Sequence, residues 1–216
     1  MKFKTIHLLL LSLLVWACTK PDKTPKTVTP DPKDTTQIKD TTKPKDSTQQ
    51  PVDSFITYLI LKGNNYCEKN SYPLYKQASL SFIAIFDSSC IYTTLDPNNQ
   101  ADINKLMGFS DCTTLHHANS ARFGWNWKDD KLQLHAYCYV DSVRQYKKLG
   151  DVALNTPIQC KLEVLPGMYV FTLDGKKDTM QRFCNDSIAN GIKLYPYFGG
   201  DEPAPHDIRI KVKELP

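Results

Sequence analysis

No apolar run in this 216-residue chain is long enough to span a membrane as a helix, because the stretch from Leu8 to Ala17 falls short of the ~20 residues a bilayer requires. Charge of one sign is also scarce. The formal net charge is +4, and removal of residues 1–17 takes away Lys2 and Lys4 and no acid, leaving +2. So slight an excess gives no footprint for nucleic acid, which calls for a strongly basic face. A Gly-rich phosphate loop, a Cys-His nucleophile pair and a Gly-x-Ser-x-Gly elbow are all missing. The chemistries built on those motifs therefore have no basis here, and no cofactor is implied. Between Thr19 and Asp53 there is no Phe, Tyr or Trp, and only Val28, Ile38 and Val52 are sizeable aliphatics. That segment cannot assemble a core.

What is present begins with the layout of a secretory signal: Lys2 and Lys4, then the apolar residues 8–17, then a cysteine. Thr19-Lys20-Pro21-Asp22-Lys23 follows at once, so Cys18 marks a boundary between removed and retained chain. Pro21, Pro25, Pro30, Pro32, Pro44 and Pro51 bias residues 18–53 toward extended polyproline geometry. At ~3.1 Å per residue this disordered Thr/Lys/Asp/Pro-rich tether would reach roughly 100 Å. A short repeat runs through it, with Lys33-Asp34-Thr35-Thr36, Lys39-Asp40-Thr41-Thr42 and Lys45-Asp46-Ser47-Thr48 recurring every six residues. No apolar residue repeats with it, so it builds no solenoid.

Leu14-Val15-Trp16-Ala17-Cys18 resembles the lipobox of bacterial lipoproteins, with small Ala17 before the cysteine and aliphatic Val15 two residues earlier. The resemblance implies a diacylglycerol thioether on Cys18 and an acylated, palmitate-type amine. Several chains at ~0.8 kcal/mol per buried methylene make a durable anchor. It places the chain on a bacterial membrane, the outer one being expected, facing periplasm or cell surface. The Asp-Thr-Thr and Asp-Ser-Thr triplets of the tether are similar to the O-glycosylation sequon of Bacteroides-type exported proteins, which implies sugar on Thr35, Thr41 and Ser47.

Residues 54–216 are rich in Tyr, Phe and Trp and long enough for one substantial core. Alternating apolar and polar residues predict strands over 55–61, 80–86, 121–127, 132–140, 158–164, 168–173, 192–198 and 208–212. Turn signals separate them, among them Lys128-Asp129-Asp130-Lys131, Pro166-Gly167 and Asp174-Gly175. Only 102–107 and 179–190 suggest short helical pieces. The fold class expected is all-β, an antiparallel β-sandwich of jelly-roll type following a signal peptide and linker. Cysteines 67, 90, 112, 138, 160 and 184 would enter an oxidising compartment and allow up to three disulfides. Cys138 and Cys160 lie on the apolar parity of their strands and suit small buried thiols. No pairing follows from sequence.

Strand parity points Leu132, Leu134, Ala136, Cys138 and Val140 inward and sets Gln133, His135, Tyr137 and Tyr139 on the other face. The same parity turns Ala121, Phe123, Trp125 and Trp127 inward and Arg122 and Asn126 outward. It would also turn Ile192, Leu194 and Phe198 inward and Lys193, Tyr195 and Tyr197 outward. Arg122, Gln133, His135, Tyr137, Tyr139, Lys193, Tyr195 and Tyr197 are thus the expected lining of a glycan groove. Flat rings cover the apolar faces of pyranoses, and directional donors satisfy hydroxyls or carboxylates. A retaining glycosidase would need two carboxylates about 5 Å apart, and these strands offer no such pair. His116 and His117 are read as a loop pair or one buried and one exposed histidine, and Asp201, Glu202 and Asp207 as a turn, so no metal site is expected.

Asn104-Lys105-Leu106-Met107-Gly108-Phe109-Ser110-Asp111-Cys112, Asn119-Ser120-Ala121-Arg122-Phe123-Gly124-Trp125 and Leu194-Tyr195-Pro196-Tyr197-Phe198-Gly199-Gly200, with Ala204-Pro205-His206-Asp207-Ile208, resemble uncharacterised Bacteroidetes-type lipoproteins. That resemblance implies a concanavalin-like jelly roll. Arg122, then Gln133-Leu134-His135, then Tyr195-Pro196-Tyr197 is also similar to the order of site residues in alginate-lyase-type jelly rolls. It implies β-elimination, in which Arg122 and Gln133 neutralise a uronate carboxylate and His135 or a tyrosine such as Tyr195 takes the C5 proton. The expectation is a membrane-anchored, non-catalytic glycan-binding sandwich. Its alternatives are an anionic-polysaccharide lyase and a structural or protein-partner surface module.

Overall fold

Asp129 and Asp130 both adopt left-handed backbone (φ 53° and 54°), as do Asp141 with Ser142 (48° and 65°) and Asp174 with Gly175 (46° and 82°). Two central residues at positive φ make the hairpin turn whose twist matches its flanking strands. The computed structural model describes residues 54–216, and these turns organise it. They join β5 (Ser120–Lys128) to β6 (Lys131–Val140), β6 to β7 (Val143–Val152), and β9 (Met168–Leu173) to β10 (Lys176–Gln181). Pro166 and Gly167 (φ 69°) link β8 (Ile158–Leu165) to β9. The other strands are β1 (Ile56–Ile60), β2 (Leu74–Tyr75), β3 (Ser79–Phe86), β4 (Asn104–Ser110), β11 (Gly191–Leu194) and β12 (Ile208–Leu215).

The strands make two sheets of six, ordered β1-β12-β3-β8-β9-β10 and β2-β11-β4-β5-β6-β7, with antiparallel pairing throughout. This is the all-β sandwich that the alternation predicts. Among the described residues helical structure is confined to two 3-10 turns, Ser88–Cys90 and Pro97–Ala101. Two expectations are corrected. Residues 102–107 contribute to β4 instead of a helical turn, and 179–190 splits between the end of β10 and an irregular segment.

The inner faces meet through aromatic rings. Phe82 of β3 lies edge-on to Phe123 of β5 at 5.6 Å between centroids, Phe171 of β9 meets Phe123 at 5.1 Å, and Phe86 meets Trp125 at 5.4 Å. All five side chains are fully buried, and each contributes roughly 1.5–3 kcal/mol of transfer free energy. Cys138 and Cys160 are buried free thiols in this core, as their parity implies, and so are Cys67 and Cys90.

One disulfide, Cys112–Cys184, ties the end of β4 in one sheet to the segment after β10 in the other. Beside it the carboxylate of fully buried Asp111 accepts from Arg182 Nε (2.7 Å), Tyr169 Oη (2.8 Å), Asn190 N (2.9 Å) and Cys112 N (2.7 Å). Arg182 is buried as well and also donates to the carbonyls of Leu165, Asp186 and Ile188. Every charge at this junction has its partner, which is the condition for burying an ion pair. The signal segment 1–17, Cys18, the 18–53 tether and Thr35, Thr41 and Ser47 lie outside the described residues.

Candidate functional site

The outer face of the second sheet carries a groove of about 490 Å³. Its floor follows from strand register. Arg122 of β5 lies opposite Tyr137 of β6 and opposite Gly108 of β4, and Leu194 of β11 continues the row. Gly108 is required there, since a Cβ at that position would stand 2.1 Å from the Ala121 carbonyl oxygen and 2.8 Å from Arg122 Cγ. The arginine side chain lies across a strand with no side chain of its own at that point. Tyr139 extends the β6 row, and Arg144 of β7 reaches the groove from the neighbouring strand.

Lys105 joins this floor because β4 carries a bulge between Lys105 and Gly108. The extra residue lets Lys105 and Gly108 share the groove face while Leu106 and Met107 both enter the core. The Lys105 ammonium donates to the Gly199 carbonyl (2.9 Å) and stands 4.9 Å from the Tyr137 ring centroid and 5.8 Å from that of Tyr197. Three loops form the walls: Tyr66, Asn70 and Tyr72 before β2, Leu115, His116 and His117 between β4 and β5, and Tyr195, Pro196, Tyr197, Gly199 and Gly200 after β11. Tyr66 packs edge-on to Tyr197 (4.9 Å), Tyr72 to Tyr195 (6.4 Å), and Tyr139 meets both Tyr137 (5.9 Å) and His117 (5.4 Å).

The electrostatics of the groove are one-sided. Among the described residues no Asp or Glu lines it, against Arg122, Lys105, Arg144 and the two histidines. Arg122 is 6% exposed, and its Nε has no hydrogen-bond partner among the described residues. Burial draws its pKa down to about 10, a fall that only the phenols of Tyr137, Tyr139, Tyr72 and Tyr197 oppose. Lys105 is lowered to about 8, first by burial and then by Arg122, with Asp102 pulling the other way. His116 is lowered to about 4 by burial, Arg122 and His117, so it is neutral at neutral pH. The hydroxyls of Tyr137, Tyr72 and Tyr197 are raised, chiefly by burial, and stay protonated.

Of the residues expected from sequence, Arg122, Tyr137, Tyr139, Tyr195 and Tyr197 meet in this groove. Gln133 and His135 share the outer face of β6 but do not reach it, which corrects the expectation. The 97–103 segment crosses their end of the sheet, where Asn126 Nδ2 donates to the Ala101 carbonyl (3.3 Å) and Gly124 leaves room for Ile103. Gln133 is held by the Lys128 carbonyl (3.2 Å), and His135 Nε2 by Asn126 Oδ1 (3.1 Å). Burial, then Lys148, lowers His135 to about 4. The set Arg122, Gln133, His135 and Tyr195 therefore does not converge.

Lys193 is a second correction. It lies opposite core residue Phe109 and pairs with Glu214 of the other sheet, facing away from the groove. Parity failed at this strand because β11 ends at Leu194 and the chain rejoins the sheet only through isolated bridges from Tyr197 to Tyr66 and Lys105. Ile192 and Leu194 face the groove while Phe198 is buried in the core. Sequence reasoning missed Tyr66, Tyr72, Lys105 and Arg144, and it left the His116-His117 loop without a place on the groove. A basic residue in an unrecognised strand gives no periodic signal, and loop residues give none at all. The acidic cluster supports loops: Glu202 accepts from Leu95 N, Asp96 N and Asn99 Nδ2, and Asp207 from Lys62 N.

No family model and no curated protein matches the sequence. Solved structures do match. An alginate lyase aligns over 74% of this chain and 74% of its own at 12% identity, with a TM-score of 0.50. A Bacillus licheniformis β-glucanase aligns over 66% of each chain at 13% identity, with a TM-score of 0.43. A Bacillus subtilis carbohydrate-binding module covers 74% of this chain and 78% of its own at 8% identity, with a TM-score of 0.32. At such identities the likeness is one of fold, and the described part of the chain is an antiparallel β-sandwich of jelly-roll type.

Proposed function

We propose that this protein captures glycan in the groove of its β-sandwich, without turning it over, and that Cys18 holds it by lipid at a bacterial membrane. The observation that carries the reading is the set of six tyrosines, Tyr66, Tyr72, Tyr137, Tyr139, Tyr195 and Tyr197, on the floor and walls of one open groove of about 490 Å³. Rings on several sides suit the apolar faces of pyranoses, while their hydroxyls and the Asn70 amide suit sugar hydroxyls. The fold is shared with an alginate lyase, an analogy that raises the plausibility of a sugar ligand and no more.

Binding is preferred to β-elimination because Gln133 and His135 are held outside the groove by their own hydrogen bonds. Affinity electrophoresis in polysaccharide gels tests capture: retardation by at least one polymer, lost in Tyr137→Ala and Tyr197→Ala, is expected. No retardation by any polymer would favour a structural or protein-partner module instead. Incubation with uronic-acid polymers should give no unsaturated, ultraviolet-absorbing products, and their appearance would restore the lyase. For the anchor, Cys18→Ser should abolish incorporation of labelled palmitate and release the protein from the membrane fraction.

A further inference from the structure

The two buried arginines of the sandwich are treated oppositely. Arg182 is enclosed by the Asp111 carboxylate and three backbone carbonyls. Arg122 is buried too, but its guanidinium makes no hydrogen bond or ion pair among the described residues, and its Nε is sealed from solvent without a partner. Buried polar groups in folded proteins are almost always satisfied, and an orphan at the bottom of a cleft is a site awaiting its partner. Around it stand phenol rings, aliphatic side chains, the neutral His116 and further cations, and no carboxylate among the described residues that line the groove. Lys105 donates to one carbonyl with its three protons and feels Asp102 only as the weaker, opposing influence on its charge, and Arg144 at the mouth shares the adjoining cavity with Asp102 without a salt bridge to it among the described residues.

Tyrosine hydroxyls and amides would suffice for a neutral sugar. They leave no reason to bury a guanidinium beside an ammonium on a chain whose total charge is only slightly positive. A carboxylate or a sulfate ester supplies what both groups lack. Its oxygens accept from a planar guanidinium in parallel hydrogen bonds and from an ammonium at a second edge. Exclusion of water by the tyrosines strengthens that attraction over its value at an open surface.

We infer that the groove is selective for anionic glycans, with the carboxylate or sulfate of one sugar unit ion-paired to Arg122 and Lys105 and with Arg144 drawing the chain toward the mouth. This rests on the glycan-binding reading and adds to it the charge of the ligand and the residues that read it. Neutral sugars would bind at the same rings and leave the two cations unpaired, at a loss of affinity.

Titration calorimetry on the full chain with three probes tests this: a uronic-acid oligosaccharide, a sulfated galactan oligosaccharide and a neutral β-gluco-oligosaccharide, each at low and high salt. At least one anionic probe should bind ten-fold or more tightly than the neutral one, and it should weaken several-fold as salt rises. Arg122→Met should abolish that preference and Arg122→Lys should restore part of it. Should Arg122→Met fail to fold, Lys105→Met carries the same test, with loss confined to the anionic probe. Which anionic probe prevails separates a carboxylate from a sulfate. Neutral binding equal to or tighter than anionic binding, without salt dependence, would overturn the charge selectivity and leave glycan capture standing. Absence of binding by all three probes would overturn both.

Discussion

Replacing Arg122 by Met should make the protein more stable while it loses its ligand. The guanidinium is buried among rings with its pKa drawn from 12.5 to about 10. At about 1.4 kcal/mol per pH unit, the folded state bears a penalty of roughly 3 kcal/mol for holding the charged form there. No ion pair offsets this, because no acid lines the groove among the described residues. Methionine has a similar unbranched stem, fits over Gly108 along the same path and carries no charge to desolvate. Exchanging buried ionic groups for apolar ones of like volume is commonly neutral or stabilising by about 1–4 kcal/mol. Methionine is shorter and forgoes the packing of the guanidinium against the rings, so a net gain of about 1–3 kcal/mol is expected, or about 2–4 °C in Tm per kcal/mol for a domain of this size. Urea unfolding of wild type, Arg122→Met and Arg122→Lys at neutral pH measures it, the lysine variant showing no such gain because it keeps a charge. A fall in stability of more than about 1 kcal/mol in Arg122→Met would refute the reasoning, since it would mean that the arginine holds the fold together.

The junction at Asp111 should behave in the reverse sense. Asp111→Ala strands a fully buried Arg182 and should cost about 3–5 kcal/mol in urea unfolding, whereas the pair Asp111→Leu with Arg182→Met should recover most of it. Reduction of Cys112–Cys184, which closes a loop of 72 residues, should lower stability by about 4 kcal/mol on the chain-entropy model, read as a fall in Tm with reductant. Affinity for an anionic glycan should fall as pH rises past about 8, where Lys105 loses its proton. Arg122, Arg144, Asp102, Tyr137 and Tyr197 face that ammonium, and Arg122, Tyr137 and Tyr197 hold their protons through this window. The ligand raises the lysine's pKa, so calorimetry in buffers of different ionisation heat should show proton uptake near pH 8. Equal affinity at about pH 6.5 and about pH 9.5 would exclude Lys105 from the site. The unliganded fold should gain stability from this group between about 8 and its ordinary 10.5, because the unfolded chain there binds the extra proton.

Much of the sandwich was legible because one face of each main strand meets the apolar core, and a core face imposes alternation of apolar and polar residues along the chain. Strands β3, β5, β6, β8, β9 and β12 carry that pattern and stand where periodicity places them. Those that escaped notice lack it. The edge strands β7 and β10 are largely exposed and touch the core with few apolar residues, Leu149, Val152 and Met180, and β4 breaks its alternation at the bulge that sends Leu106 and Met107 inward together. The Asp141-Ser142 turn, without glycine or proline, gave no sign of the hairpin that leads to Arg144.

The sequence by itself determined the class of fold, the inward and outward faces of β5 and β6, and hence that Arg122, Tyr137 and Tyr139 share one surface, because a strand's side chains alternate whatever lies around it. Which of those residues stay open was a matter of tertiary structure. The 97–103 segment packs on the end of the sheet that holds Gln133 and His135, a strand end before Pro196 reverses Lys193, and a bulge brings Lys105 beside Arg122. The first depends on where a distant loop crosses the sheet and the other two on how neighbouring strands pair, and the distribution of charge in the groove follows from both.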